Sequence, residues 1–72
     1  MTRFVAANRV ITADGREIKP GVVELDGERV VNISTLLGER PFTEWLGGTI
    51  NLQYSADEQL HAYKDGEMLK EK

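Results

Sequence analysis

A chain of 72 residues without cysteine has room for one domain, residues 1–72, and neither a disulfide nor a thiolate metal site to brace it. Twelve acidic residues against nine basic ones leave a formal charge of −3, with no basic cluster to neutralise a run of phosphates, which argues against nucleic acid as a partner. No apolar run approaches the roughly 20 residues of a membrane span and the first residues lack the apolar core of a signal peptide, so the expectation is a cytoplasmic location with no membrane partner.

In chain order, residues 1–7 read as an extended lead-in, with Phe4 and Ala6 on one face and Val5 and Ala7 on the other. Three β-branched runs follow, Arg9–Thr12, Gly21–Leu25 and Arg29–Ile33, whose branched side chains suit a pleated, half-buried surface. Asp26-Gly27 between the last two predicts a two-residue type I′ hairpin. Asp14-Gly15, then Lys19-Pro20-Gly21, separates the first two, so the three runs are expected to form an antiparallel meander. Apolar residues fall on both faces of these strands. Val22, Val23, Val30 and Val31 therefore mark a possible interface, one face filling the internal core and the other covered by a second chain.

Beyond the meander the period changes. Phe42, Trp45 and Leu46 stand at i, i+3 and i+4 behind Pro41, and Gly47 can end a helix, which predicts a helical turn over residues 41–46. Trp45 is either a ligand platform or a plug in the open end of the core, and the plug is favoured. Thr49–Tyr54 alternates as a half-exposed strand with Ile50, Leu52 and Tyr54 on one face. Ser55 to Glu58 has the form of a capping box, but Lys64-Asp65-Gly66-Glu67 soon signals a hairpin, so one turn and then strands at Leu60–Tyr63 and Glu67–Leu69 are expected. Glu67 to Lys72, EMLKEK, is a mixed-charge end that should fray.

Asn-Arg-Val-Ile-Thr, then Asp-Gly, then Ile-Lys-Pro-Gly-Val-Val, then Asp-Gly-Glu-Arg-Val-Val-Asn-Ile resembles the opening of metal-dependent amidohydrolases such as dihydroorotase-like enzymes and cyclic amidases. Leu60–Leu69, LHAYKDGEML, is similar to the strand, Asp-Gly turn and strand that close the same small β domain. The resemblance implies a stand-alone version of that domain, with both flanks present and the catalytic barrel missing.

The family's metal ligands, a His-x-His pair with further histidines, are not matched by a chain whose one histidine is His61, so no metal, cofactor or catalytic residue is carried over. His61 reads as a surface or edge residue. Ser34, Thr35 and Ser55 lack a base and an orienting acid, and Gly47-Gly48 is too short for a phosphate cradle. Glu39, Arg40 and Glu44 around Trp45 could be imagined as a reduced site, but charges on a short connection are usually solvated.

The sequence therefore predicts an all-β fold, a small sandwich or partly open barrel of five to seven short antiparallel strands with one helical turn. Its expected function is a non-catalytic structural or interaction module that self-associates, with an amidohydrolase-type protein as a further possible partner. The alternatives are a small-ligand module around Trp45, or an accessory hydrolase remnant acting on carbon–nitrogen bonds only with a partner chain.

Overall fold

The computed structural model describes residues 2–36 and 42–70. Within them the chain forms nine strands: β1 (Arg3–Ala7), β2 (Arg9–Ile11), β3 (Glu17–Ile18), β4 (Gly21–Asp26), β5 (Arg29–Thr35), β6 (Thr43–Trp45), β7 (Thr49–Tyr54), β8 (Leu60–Lys64) and β9 (Glu67–Leu69). They make a four-stranded sheet, β5-β4-β1-β6, and a five-stranded sheet, β3-β2-β7-β8-β9. The all-β expectation holds. Among the described residues no helix is long and apolar enough to cross a membrane.

The two sheets share one core. Val5, Ala7, Val23, Leu25 and Val30 from the first meet Val10, Ile50, Leu52 and Ala62 from the second, with Ile18, Ile33, Leu46, Leu60 and Leu69 packed at the margin. Alternation along each strand explains the selection, since successive side chains point to opposite faces. In β7 Ile50 and Leu52 turn inward, while Tyr54 has run past the end of the core and is exposed.

The first departure from the sequence expectation is at Asn8. The lead-in and the Arg9 run are two strands in different sheets, and β1 rather than β2 pairs with β4. The meander therefore consists of β1, β4 and β5. Asn8 stands at the switch, where its side-chain oxygen accepts a hydrogen bond from the Gly48 amide at 2.8 Å. Beside it the chain makes the same switch a second time, from β6 to β7, through Gly47 and Gly48 at φ +70° and +64°. Glycine takes the left-handed conformation at no steric cost, and with a strand on either side this pair is a sheet crossover and not a helix stop. The paired switches leave β1 parallel to β6 and β2 parallel to β7, so the sheets are mixed rather than purely antiparallel.

The predicted helical turn over 41–46 is a second correction. Pro41 lies outside the described residues, and Thr43–Trp45 is a strand whose residues register with Phe4, Val5 and Ala6. A free β1 edge outcompetes three apolar residues at helical spacing, because one helical turn has a costly nucleus and no partner face. At Ser55–Gln59 the capping-box reading gives way to a tight β7–β8 turn, with the Ser55 amide bonded to Gln59 O at 2.9 Å and the Glu58 amide to Ser55 O at 3.0 Å.

The Asp-Gly turns also divide. At Asp65-Gly66 both residues have positive φ, 54° and 82°, as a type I′ hairpin requires. At the β4–β5 turn Asp26 pairs with Arg29, so Gly27 and Glu28 are the loop and Gly27 alone, at φ +64°, has positive φ. That is the glycine-first pattern of a type II′ turn, one residue later than the predicted type I′ pair.

Candidate functional site

Among the described residues, those singled out by sequence do not converge. Trp45 sits on β6 at the edge of its sheet and is 55% exposed, so it does not plug the core. The Arg3 guanidinium donates to both Glu44 carboxylate oxygens, at 3.3 and 2.8 Å, and to the carbonyl of Lys70 at 2.7 Å, tying β1 and β6 to the end of β9. A charge-assisted fork of this kind ties three segments together with defined geometry. Nothing in the spacing of Arg3, Glu44 and Lys70 announces that meeting.

His61 is half-buried on β8, an inner strand, and its Nδ1 lies 2.5 Å from the carbonyl of Glu28 in the β4–β5 turn. It fastens one sheet's hairpin to the other sheet and is not an edge residue. Glu44 is occupied by Arg3, while Glu39 and Arg40 lie outside the described residues. Among the described residues, no three His, Cys, Asp or Glu side chains come together as metal ligands would.

The four valines meet different fates. Val23 and Val30 fill the shared core, as one face of these strands was expected to, and Val22 on the opposite face is only 2% exposed. Val31 is the exception. It is the extra residue where the β4–β5 register shifts, and it is exposed.

The outer face of the four-stranded sheet is where polar and apolar groups gather. By register one row across it is Ser34, Val22, Ala6 and Trp45, and the next is Asn32, Glu24, Phe4 and Thr43. Ala6 and Val22 are buried although they take no part in the core cluster. A shallow depression beside them is lined by Phe4, Val22, Glu24, Asn32 and Ser34. Sequence reasoning saw apolar residues on both strand faces here and left open which of them face outward.

Three carboxylates are tuned by their turns. Asp14 is held below its usual range first by the Thr12 hydroxyl, with Arg16 adding to it, and Asp57 likewise by the Ser55 hydroxyl. Glu17 is lowered first by the Lys19 ammonium at 3.1 Å, with Arg9 on its other oxygen at 2.9 Å. A carboxyl whose pKa is depressed on folding stabilises the fold above its unfolded value, and that contribution disappears as pH falls through the folded value. Thermal melts at stepped pH are therefore expected to show a falling midpoint below about pH 5, flattening once all three carboxyls are protonated in both states. A midpoint that holds steady down to strongly acidic pH would show that these turns do not bond their carboxylates.

No protein-family model and no curated protein matches the chain. Among solved structures it is similar to N-acetyl-D-glucosamine-6-phosphate deacetylase from Mycobacterium smegmatis, with 23% identity and a TM-score of 0.57 over 72% of this chain and 15% of that one. A mutant of that enzyme, in complex with N-acetyl-D-glucosamine-6-phosphate, gives 22% identity and a TM-score of 0.54 over 71% of this chain and 13% of that one. The chain thus has the fold of a small part of a deacetylase and spans about a seventh of its length.

Proposed function

We propose that this protein is a non-catalytic structural and interaction module of the amidohydrolase type, a cytoplasmic β domain that works by associating with another protein chain, in the first instance its own copy. The observation that carries the reading is the match of a two-sheet fold, over most of this chain, to a small share of a much larger deacetylase. Two further features support it. The functional groups found in the described residues tie strands together, as Arg3 and His61 do, and the sheet face outside the core carries apolar residues.

Two measurements test the proposal. Incubated with N-acetyl-D-glucosamine-6-phosphate and added zinc, the purified chain is expected to release no acetate, and turnover above that of a heat-denatured sample would overturn the non-catalytic reading. Sedimentation across the micromolar range is expected to show mass rising with concentration. A monomer throughout would reject self-association.

A further inference from the structure

We infer that Asp65, at the tip of the β8–β9 hairpin, is a site of spontaneous covalent modification. Its side chain closes onto the Gly66 nitrogen and reopens as an isoaspartyl linkage, while Asp14-Gly15 and Asp26-Gly27 are protected by their turns.

The step is an isomerisation that water completes. The Gly66 nitrogen bonds to Cγ of the neutral Asp65 carboxyl, the amide proton and the carboxyl hydroxyl leave as water, and a five-membered succinimide results. Water then opens the ring at one of its two carbonyls. Opening at Cγ returns aspartate; opening at the main-chain carbonyl leaves the chain running through Cγ and frees an α-carboxylate. Nothing is oxidised or reduced. Ring closure needs the Gly66 nitrogen to eclipse Cβ about the Cα–C bond, which for an L residue is a ψ of roughly −120°, the value at the first central position of a type II′ turn.

The hairpin is one peptide rotation away from that geometry. Asp65 and Gly66 have φ +54° and +82° as a type I′ turn. Types I′ and II′ share positive φ at the first central residue and differ by a flip of the peptide between the two. Glycine accepts either sign of φ at the second position, and the Lys64–Glu67 ladder pair closes both turns alike. Among the described residues no acceptor holds the Gly66 amide. The Asp65 side chain is 85% exposed, and its contact with the Lys64 ammonium at 3.0 Å is a surface ion pair that restrains it weakly.

At the other two pairs the same rotation breaks bonds. The Gly15 amide donates to the Thr12 carbonyl at 3.0 Å, while the Asp14 carboxylate accepts the Thr12 hydroxyl and meets Arg16 at 3.3 Å. Those contacts also keep Asp14 ionised, which depletes the neutral form that reacts. Asp26 is the last residue of β4, held in register with Arg29, and Gly27 is already engaged. The isoaspartyl linkage inserts a carbon into the two-residue loop and so breaks the β8–β9 register, beyond which Leu69 packs at the core margin and the Lys70 carbonyl holds Arg3.

The test is prolonged incubation of the full chain at mildly acidic pH in water enriched in heavy oxygen, in buffer and in urea, followed by peptide mapping. Each ring opening installs one heavy oxygen, and isoaspartyl peptides separate from aspartyl ones. In buffer, label and isoaspartate are expected at Asp65 at least about fivefold faster than at Asp14 or Asp26, the factor that one hydrogen bond imposes on a rate. In urea the three rates are expected to converge. A folded chain that labels the three pairs alike, labels Asp65 slowest, or labels none while the urea sample does, would overturn the assignment. So would a lead for Asp65 that persists unchanged in urea, since neighbouring residues in sequence would then account for it.

Discussion

Shortening Ile50 to alanine is expected to remove most of the protein's stability and leave a measurable fraction of it unfolded at room temperature. Ile50 is fully buried in β7, an inner strand between β2 and β8, and its register partner in β2 is the equally buried Val10. Truncation loses the transfer free energy of the missing carbons and leaves a cavity, together about 2–5 kcal/mol for isoleucine to alanine. A domain of this size without disulfides holds only about 3–5 kcal/mol in all, so the loss takes most of it. Ile50→Val, which keeps the branched shape, is expected to cost about 0.5–1.5 kcal/mol and still melt cooperatively. Urea titration of both variants separates the cases, and an Ile50→Ala midpoint within error of the parent would mean that the two sheets do not close over this residue.

The inner-strand position of Ile50 could be read from sequence in part. Strict alternation over Thr49–Tyr54 places Ile50 and Leu52 on one face, and the β-branched runs before residue 36 identify the strands, because these signals are local and depend on the two-residue period of the pleat. What alternation does not encode is which sheet a strand joins. Val5 and Val10 read as one extended run with only Asn8-Arg9 between its apolar parts, yet the chain crosses between sheets at Asn8, and the bond that holds the crossing comes from Gly48, forty residues away. The same limit explains Trp45. Its helical spacing with Phe42 is a local signal, while the β1 edge that captures the segment is a long-range one. The outer face was half legible: an apolar surplus was visible, but a bulge at Val31 and the depth of Val22 decide which side chains emerge, and neither follows from periodicity.

Replacing Gly21 by alanine is expected to destabilise the fold by about 1–3 kcal/mol, the range for forcing an extra methyl into a packed site. The cause is contact rather than backbone freedom. Gly21 opens β4 between Ala7 of β1 and Thr35 of β5, and its buried backbone presses on the other sheet, so a Cβ there would lie 2.3 Å from Val10 Cγ2, 2.8 Å from Val10 Cβ and 3.4 Å from the Ile18 carbonyl. The Val10 methyl cannot swing into solvent, because Val10 is itself fully buried. Val10→Ala removes the closer of the two clashing carbons and, on its own, costs about 2 kcal/mol for the space it empties. In the double variant the new methyl occupies part of that space, so the two losses are expected to fall short of their sum by about 1 kcal/mol, a coupling typical of residues in direct contact. Chemical denaturation of the parent, both single variants and the double variant closes the cycle. Strict additivity would place Gly21 away from Val10 and break the contact through which β2 and β4, on opposite sheets, are held together at the start of the hairpin.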